Sequence, residues 1–281
     1  MKYEFFFKDY LKLIEKTLEK ILPAENQYPS LIHEAMRYAV FPGGKRFRPV
    51  LTLAACEATG GNPEEALIPA VSLELIHCYS LVHDDLPALD NDDLRRGKLS
   101  CHKKYGEALG ILTGDALLNL GYQILSQIPS PRKAVRLLAE ISTAAGTYGM
   151  IGGQVADLAA VGKDTNVAML DYINSHKTGK LITASAVCGA LAADASSKTV
   201  RQMRHFGECM GLAFQSVDDL QDGDGYSGVV ESKEIVQKVR DLIAKAKKEI
   251  KSLGSKTSKL YALADYLISN IPRGKHVSVD R

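Results

Sequence analysis

Two clusters of aspartates, each at the end of an apolar helical pattern, are the residues of this chain best suited to chemistry. The first cluster follows the apolar run 73–82, and the second follows the run 210–217. Their members are Asp84, Asp85 and Asp90, and then Asp218, Asp219 and Asp222. Removing a carboxylate from water is costly unless a counter-charge compensates it, and hard oxygen ligands suit Mg²⁺. The clusters therefore predict a site for divalent cations and the phosphate groups that such cations bind.

The spacing within each cluster predicts which carboxylates act together. Asp218 and Asp222 are four residues apart and share one helix face. Asp84 and Asp90 are six residues apart, which places them about 120° apart around a regular helix. Pro87 lies between them, and proline kinks or breaks a helix. If two residues around Pro87 bulge out, Asp84 and Asp90 return to one face. We also expect the two clusters, which lie on two helices, to face each other across a cavity.

Cationic residues near these clusters predict where phosphate would be held. Arg95 and Arg96 follow Asp90 by five and six residues. One guanidinium group can bind two phosphate oxygens at once. The segment 41–49, FPGGKRFRP, places three cations after a glycine-rich turn at a helix N-terminus. Free backbone N–H groups and the helix dipole favour anions there. A polar turn with solvated cations is an equally good interpretation of this segment alone.

Other polar residues give weaker signals. His77 precedes Asp84 by seven residues, or two helical turns, and therefore shares its face. For His83 a structural hydrogen bond is the default interpretation. The segments 176–180 (HKTGK) and 152–157 (GGQVAD) combine polar groups whose spacing alone predicts little.

Helical periodicity covers nearly the whole chain, and no stretch alternates as a strand does. Asn62 and Pro63 are expected to start the long helix that leads to the first cluster, and Ser30 is expected to cap an earlier one. Gly152 and Gly153 are expected to break the chain. The predicted helices are 3–22, 30–40, 48–59, 62–84, 107–128, 131–148, 154–161, 167–193, 198–221, 231–253 and 258–269. The prediction is one all-α domain, 1–281, with a loose tail from about residue 272.

Composition excludes several classes of protein. The net charge of +2 argues against a general nucleic-acid binder. No uninterrupted apolar run reaches the ~18 residues typical of a membrane span. The first residues mix acids and lysines with apolar residues, unlike a signal peptide. The five cysteines are scattered and form neither a disulfide framework nor a CxxC pair, so we expect a cytoplasmic protein.

Taken together, the motifs resemble those of the trans-prenyl diphosphate synthases, in particular the bacterial farnesyl diphosphate synthases. The matching segments lie between Leu31 and Asp222 and read GGKRFRP, DDLPALD, RRG, GDALL, GGQ, HKTG and FQSVDDLQD. The resemblance implies an all-α helical bundle around a deep central cavity, usually a homodimer. The implied reaction condenses dimethylallyl and geranyl diphosphate with isopentenyl diphosphate to give farnesyl diphosphate.

The resemblance also implies a role for each matching residue. Three Mg²⁺ ions would be held by Asp84, Asp85 and Asp90 on one side and by Asp218, with Asp219 and Asp222, on the other. The allylic diphosphate would contact Arg95 and Lys177, and the diphosphate of isopentenyl diphosphate would contact Gly44, Lys45, Arg48, His77 and Arg96. The groups that stabilise the allylic cation would be the Thr178 hydroxyl, the Lys177 carbonyl and the Gln215 amide oxygen.

Product length is expected to depend on the residues below the first cluster. Tyr79, with Ser80 beside it, lies five residues before Asp84, and this position forms the floor of the elongation pocket in the family. An aromatic floor resembles enzymes that stop at farnesyl. Tyr79 as an ordinary core residue, and a geranyl or geranylgeranyl product, remain as alternatives.

One departure from the family pattern concerns the segment after Asp222. The family usually has a longer loop there, with a further lysine in a KTYP-like segment, whereas residues 223–229 lead directly into the C-terminal helices. Lys233, Arg273 and Lys275 are the candidates to replace that lysine.

Two other functions are alternatives at this point. An HD-type phosphohydrolase would use His83 and Asp84, but this interpretation leaves the second cluster unexplained. A non-catalytic subunit of a heteromeric synthase would normally have lost aspartates, whereas this chain keeps both clusters.

Overall fold

A computed structural model describes residues 3–41, 43–162, 166–223 and 225–272. Helices make up most of these residues, and within them the strands are confined to the two-residue pair β1 (Leu94–Arg95) and β2 (Lys98–Leu99), which form an antiparallel hairpin. The predicted all-α class is confirmed. The tail was predicted from about residue 272, and its residues from 273 onward, with Arg273 and Lys275, lie outside the described residues.

The described helices follow the predicted ones in order, but the predicted helix 3–22 is divided in two, and the helix Cys101–Tyr105 was not predicted. The α-helices are α1 (Tyr3–Phe6), α2 (Lys8–Ile21), α3 (Ser30–Val40), α4 (Phe47–Ala58), α5 (Leu67–Asp84), α6 (Cys101–Tyr105), α7 (Glu107–Gln123), α8 (Pro131–Ala145), α9 (Met150–Ala160), α10 (Val167–Ile173), α11 (Lys180–Ala192), α12 (Ser197–Asp222), α13 (Ser232–Ile250) and α14 (Ser258–Ser269). Short 3₁₀ turns span Pro63–Ala66, Ile124–Gln127, Gly225–Gly228 and Lys251–Thr257.

The centre of the bundle is α11, whose residues 181–192 are all buried. A helix that is apolar on every side must be enclosed by other helices, and α11 packs against α4, α8 and α12. The long helix α5 packs against α4 and α7, while α13 lies on the outer side of α12. The C-terminal ends of α5 and α12, which carry the two aspartate clusters, are thereby attached to one continuous core.

Two segments, Pro63–Asp84 and Glu107–Gln127, are long and apolar enough by composition to cross a membrane. In the first, 67% of the most apolar window is buried inside the bundle. In the second, 39% is buried, and the two segments pack against each other through α5 and α7.

The predicted starts of the helices were partly right. The Asn62 side chain accepts a hydrogen bond from the Glu64 N–H at 3.1 Å, with Pro63 as the first helical residue. Ser30, predicted as a cap, is instead the first residue of α3, and Pro29 occupies the cap position without a side-chain hydrogen bond. The predicted helix 167–193 is interrupted by a π-helical turn, Asn174–Gly179. Such turns are frequent at functional sites, and this one contains Lys177 and Thr178.

The prediction that Gly152 and Gly153 break the chain was wrong, since both lie inside α9. A Cβ on Gly153 would lie 2.1 Å from the backbone nitrogen of Lys177, so α9 crosses the π-helical turn at a distance that only glycine allows. On the opposite side of that turn, a Cβ on Gly211 would lie 2.7 Å from the Cα of Gly179. These two glycines serve close helix packing, which holds the π-helical turn between α9 and α12.

We expect Gly153→Ala to lower the free energy of unfolding by about 1–3 kcal/mol, because the added methyl group collides with backbone rather than with a movable side chain. Gly228→Ala is the control, because a Cβ there meets nothing within 4 Å, and its effect should stay within about 0.5 kcal/mol. Urea unfolding followed by circular dichroism measures both, and equal effects of the two variants would contradict the packing role.

Candidate active site

The first aspartate cluster is shaped by a loop that returns the chain to the end of α5. The helix ends at Asp84, and the N–H of Asp90 donates a hydrogen bond to the carbonyl oxygen of Asp84 at 2.8 Å. Pro87 lies in the loop between them and is exposed. The loop therefore brings Asp84 and Asp90 together, as their spacing around Pro87 predicted.

Asp84 is a half-buried carboxylate with a second carboxylate close by. Burial raises the pKa of Asp84 to about 6; the nearby Lys177 ammonium opposes the shift, and the negative charge of Asp90 adds to it. Mutual repulsion of this kind disfavours two ionised groups in one place. A cation bound between Asp84 and Asp90 would relieve it.

Asp85 is already paired with a cation. It is 2% exposed, and the Arg95 Nε donates a hydrogen bond to its Oδ1 at 2.8 Å. The same guanidinium contacts Asp92 at 3.1 Å. Burial raises the pKa of Asp85, and the hydrogen bond from Arg95 opposes the shift. A predicted metal ligand and a predicted diphosphate ligand are thus bound to each other, and a bound diphosphate would have to share Arg95 with Asp85.

The second cluster has the same electrostatic character. Burial raises the pKa of Asp218 to about 6, the charge of Asp222 adds to the shift, and the charges of Lys45 and Arg48 oppose it. Asp222 is the last residue of α12 and is exposed. Asp218 and Asp222 therefore form a second carboxylate pair next to cations of the glycine-rich turn.

Asp219 differs from its neighbours. It is 3% exposed, and its Oδ1 accepts a hydrogen bond from the Gln215 Nε2 at 2.8 Å. Its Oδ2 accepts hydrogen bonds from the Asn174 Nδ2 and from the Tyr226 N–H, each at 3.2 Å. The arrangement does not support the prediction that Asp219 ligates a metal ion, because both of its oxygens are engaged with protein donors.

Cations and a histidine collect beside the first turn of α4. Arg48 is buried, its Nε has no hydrogen-bond partner, and burial lowers its pKa against the opposing charges of Glu74 and Asp218. His77 lies next to it; burial, with the charges of Arg48 and Arg96, holds the pKa of His77 well below its usual range. His77 is therefore a neutral imidazole that can hydrogen-bond an anion held by the guanidinium groups.

Gly44 allows Arg96 to join this group. A Cβ on Gly44 would lie 3.0 Å from the Arg96 Nη2, so the guanidinium lies directly against the glycine. Lys45 is exposed, with its ammonium over the Tyr266 ring at 5.6 Å from the centroid. The five residues predicted to hold one diphosphate, which are Gly44, Lys45, Arg48, His77 and Arg96, thus lie in one region.

Arg46, the middle cation of the same turn, has a structural role instead. It is 2% exposed, and it pairs with Glu74 at 2.8 Å and with Glu15 at 2.7 Å. Its backbone is left-handed, with φ of 51°. The interpretation of all three cations as anion ligands was therefore wrong for Arg46, which points into the bundle while Lys45 and Arg48 lie on the side of Asp218.

A cavity of about 310 Å³ opens next to Asp84. Its polar lining is contributed by Arg48, His77, Ser80, His83, Asp84, Gln154, Lys177 and Thr178. Its apolar lining is contributed by Tyr79, Leu81, Leu89, Met150, Ile151, Val155 and Leu158. Tyr79 is 6% exposed, and it lies roughly 7.5 Å below Asp84 along the helix axis, since each residue advances a helix by about 1.5 Å. A larger groove, of about 780 Å³ between α8, α11 and α12, contains none of the predicted site residues.

The two aspartate clusters are connected through the π-helical turn. The Thr178 Oγ1 donates a hydrogen bond to the Gln215 Oε1 at 2.8 Å, so these predicted site residues meet. The lining of the 310 Å³ cavity does not include Asp218, Asp219, Asp222 or Gln215. Two lining residues connect the cavity to the second cluster: Thr178, which is hydrogen-bonded to Gln215, and Arg48, which lies near the charge of Asp218.

Gln154 and Asp157 are site residues that the sequence signalled only weakly. The Lys177 ammonium pairs with Asp157 at 2.7 Å. Both amide atoms of Gln154 are buried without a hydrogen-bond partner, and the side chain lines the cavity. The helical spacing of three in the GGQVAD segment places Gln154 and Asp157 on neighbouring sides of α9, but their closeness to Lys177 depends on the packing of α9 against the π-helical turn.

Tyr226, in the short segment after Asp222, is fixed by buried contacts. Tyr226 is 1% exposed, and its hydroxyl donates a hydrogen bond to Asp171, which also pairs with Lys238 at 2.7 Å. Lys233, a candidate to replace the lysine of the family's longer loop, pairs with Glu231 at 2.7 Å on the surface. His83 keeps its default structural role, with its Nε2 at 3.0 Å from the carbonyl oxygen of Ile111.

The donors present fit Mg²⁺ bound together with a diphosphate. Among the described residues, no three His, Cys, Asp or Glu side chains form a ready-made metal site. Mg²⁺ is usually bound by one or two carboxylates plus substrate phosphates rather than by a protein cage. Two repelling carboxylate pairs, together with the unpartnered Arg48 Nε and Gln154 amide, match that mode of binding.

We expect Asp84→Asn and Asp218→Asn to stabilise the metal-free protein above pH 7, raising its melting temperature by roughly 2–5 °C. Both pKa values rise from 3.8 to about 6 on folding, so each carboxyl binds its proton more tightly in the folded state. The stabilisation that each proton provides is present below pH 4 and is lost as pH rises to about 6. Replacing the carboxylate by a neutral amide removes that loss.

Differential scanning calorimetry in EDTA at pH 4.5 and pH 8 measures this effect. The gain should be present at pH 8 and shrink at pH 4.5, and Asp241→Asn, at an exposed position on α13, is the matched control. Variants less stable than the native protein at pH 8 would contradict the account.

The chain is similar in sequence to known prenyl diphosphate synthases. A family model described as Polyprenyl synthetase matches residues 29–241. The large subunit 1 of a heterodimeric geranylgeranyl pyrophosphate synthase from Arabidopsis thaliana is 44% identical over 230 residues, covering 78% of this chain and 62% of that protein. Farnesyl diphosphate synthase from Geobacillus stearothermophilus is 41% identical over 226 residues, covering 79% and 76%. The chain spans about three fifths of the length of the first two Arabidopsis relatives it matches.

The fold also matches that of a solved prenyl diphosphate synthase. The crystal structure of an FPP/GFPP synthase from Zymomonas mobilis matches with a TM-score of 0.88 and 33% identity, covering 95% of this chain and 98% of that chain. An assignment to HD-type phosphohydrolases is contradicted by these matches. The chain belongs to the polyprenyl synthetase family.

Proposed function

We propose that this protein is a Mg²⁺-dependent trans-prenyltransferase that condenses dimethylallyl diphosphate, and then geranyl diphosphate, with isopentenyl diphosphate to give farnesyl diphosphate. The observation that carries the proposal is the position of Asp84 and Lys177 at an apolar cavity bounded by Tyr79. A charged mouth suits the diphosphate of an allylic substrate, and an apolar wall suits its hydrocarbon chain. Relatives named farnesyl diphosphate synthase support the choice.

The allylic diphosphate binds between the two aspartate clusters. When bound, three Mg²⁺ ions supply positive charge that stabilises the diphosphate as it leaves. The carboxylates that would hold them are Asp84, Asp85 and Asp90 on one side and Asp218 and Asp222 on the other. Lys177 and Arg95 contact the same diphosphate, and each is pre-positioned by an acid, Asp157 for Lys177 and Asp85 for Arg95.

Isopentenyl diphosphate binds beside the first turn of α4, through Gly44, Lys45, Arg48, His77 and Arg96. The buried Nε of Arg48 has no protein partner and is available to a phosphate oxygen. Since His77 is neutral, it adds a hydrogen bond without adding to the repulsion among the guanidinium groups. The two diphosphates are thus held by different sets of residues.

The reaction begins when the bond between C1 and the diphosphate oxygen of the allylic substrate breaks. The resulting cation faces oxygen dipoles of the Thr178 hydroxyl, the Lys177 carbonyl and the Gln215 amide. The isopentenyl double bond attacks C1, and the departed diphosphate takes the proton that is released. The apolar wall keeps water, which would quench the cation, away from C1.

The cavity floor sets the product length in this proposal. Tyr79 and Ser80 both line the cavity, and in this proposal Tyr79 forms its floor below Asp84. A geranylgeranyl product is the second candidate, and it is favoured by relatives such as the geranylgeranyl pyrophosphate synthase 4 of Arabidopsis thaliana, 44% identical over 228 residues.

We also propose a homodimer and a cytoplasmic location, without nucleic-acid or membrane partners. Exposed apolar side chains on α7 and α8 are the candidates for the surface that a second copy would cover, and they are Ile111, Leu112, Val135 and Leu138. All five cysteines are unpaired and buried, which suits a reducing compartment.

The proposed function predicts prenyl-chain synthesis from defined substrates. Incubation with Mg²⁺, radiolabelled isopentenyl diphosphate and either dimethylallyl or geranyl diphosphate should give a C15 product, sized by chromatography after dephosphorylation. A C20 product would favour the second candidate. Asp84→Ala should lose about 100-fold or more in kcat, whereas Asp241→Ala should retain full activity. Absence of any prenyl product with the purified native protein would refute the proposal.

Tyr79→Ala should lengthen the product to C20 or beyond, because removing the aromatic ring deepens the cavity. Tyr79→Phe keeps the ring and should still give C15. Product sizing with geranyl diphosphate as the primer distinguishes the two. An unchanged product from Tyr79→Ala would mean that this side chain is an ordinary core residue.

A further inference from the structure

We propose that Asp219 is a positioning residue that acts through Gln215 to turn the oxygen lone pairs of the Thr178 hydroxyl toward the cavity. The proposal rests on the function proposed above. It assigns Asp219, which lies within the second aspartate cluster, a role other than metal binding.

The contact chain consists of two hydrogen bonds. The Gln215 Nε2 lies 2.8 Å from the Asp219 Oδ1, and the Gln215 Oε1 lies 2.8 Å from the Thr178 Oγ1. Asp219 is on the same helix, one turn after Gln215, whereas Thr178 is on the π-helical turn that faces the cavity. The amide of Gln215 therefore connects a buried carboxylate of α12 to the cavity lining.

The donor and acceptor groups fix the direction of both hydrogen bonds that connect Asp219, Gln215 and Thr178. A carboxylate can only accept hydrogen bonds, so Gln215 must present its NH₂ group to Asp219. Its carbonyl oxygen then faces Thr178, and because that oxygen can only accept, the Thr178 hydroxyl must donate. With its proton committed to Gln215, the Thr178 oxygen has only lone pairs left to offer to the cavity.

Asp219 is itself held in place by residues of the π-helical turn and of the 3₁₀ turn Gly225–Gly228. The Asn174 Nδ2 and the Tyr226 N–H each donate to its Oδ2 at 3.2 Å. Gly225 packs closely, since a Cβ there would lie 2.6 Å from the same oxygen. Tyr226 is anchored in turn through its hydroxyl to Asp171. The short segment after α12 therefore closes over Asp219 and fixes its carboxylate.

The orientation matters because the allylic cation develops positive charge near Thr178. An oxygen lone pair aimed at that charge stabilises it, whereas a hydroxyl proton aimed at it does the opposite. If Asp219 were replaced by a residue that can donate, the Gln215 amide would be free to flip, and the Thr178 hydroxyl would lose its fixed acceptor. We expect such a change to lower kcat by about 10- to 100-fold, the usual effect of losing a supporting partner.

Asp219→Asn is the test substitution, because it preserves size while adding a donor. Its kcat should fall by about 10- to 100-fold, with the Mg²⁺ concentration for half-maximal rate unchanged within about threefold. Calorimetric binding of a non-ionising allylic thiolodiphosphate in Mg²⁺ should also be unchanged within about threefold. Asp218→Asn is the matched comparison, and it should lose Mg²⁺-dependent binding of the same analogue. A loss of Mg²⁺ affinity in Asp219→Asn equal to that in Asp218→Asn would overturn the proposal.

A double-mutant cycle tests whether Asp219 acts through Thr178. In a Thr178→Val background, which has no hydroxyl to orient, Asp219→Asn should lower kcat by a clearly smaller factor than in the native background, because only the orientation of the Gln215 oxygen is then lost. Adding Gln215→Glu to Asp219→Asn should recover activity, since the introduced carboxylate accepts hydrogen bonds from both the introduced amide and the Thr178 hydroxyl. Independent, multiplicative effects of Asp219→Asn and Thr178→Val would overturn the proposal.

A measurement without substrate separates this proposal from the proposed function. The side-chain amide protons of Gln215, assigned by NMR through their loss in Gln215→Glu, should exchange slowly in the native protein and rapidly in Asp219→Ala. Slow exchange with no prenyl product would refute the proposed function but support the hydrogen-bond chain. Rapid exchange in the native protein would refute the proposed hydrogen-bond chain, whether or not a prenyl product forms.

Discussion

The burial of two carboxylates, Asp84 and Asp218, each beside a second carboxylate, is the constraint on which the arrangement of this protein's site depends. Asp84 next to Asp90, and Asp218 next to Asp222, are held together although burial and like charge oppose it, and the pKa values of Asp84 and Asp218 rise to about 6 as a result. The members of each pair are kept close by the backbone, because the Asp90 N–H is hydrogen-bonded to the carbonyl oxygen of Asp84, and Asp222 follows Asp218 by one turn of α12. The fold thus maintains a local electrostatic cost that a bound cation would remove.

Neighbouring residues of the same type have different roles around this centre. Arg46 is paired with Glu74 inside the bundle, whereas Arg48, two residues later, has an unpartnered Nε next to the cavity. Asp218 belongs to a repelling pair, whereas the carboxylate of Asp219 accepts hydrogen bonds from three protein donors. In both cases a helix or turn directs adjacent side chains to different surroundings. Type and position in a motif are therefore insufficient to assign a role.

Local signals predicted much of this structure, and contacts between distant residues account for what they missed. The start at Asn62–Pro63 and the loop around Pro87 follow from nearby residues, as do most helix ends. The pairing of Arg46 with Glu74 joins residues 28 positions apart, and the close approach of Gly153 to Lys177 depends on how two helices cross. The π-helical turn has no proline or other local marker, and it was missed for the same reason.

The central claim is that both aspartate clusters hold cations around one diphosphate. Anomalous X-ray scattering from crystals soaked with Mn²⁺, as a substitute for Mg²⁺, and an allylic thiolodiphosphate would locate those cations directly. The account predicts three manganese peaks between the Asp84–Asp90 pair and the Asp218–Asp222 pair, all in contact with the same diphosphate. Manganese at one cluster alone, or a diphosphate bound away from both, would contradict it.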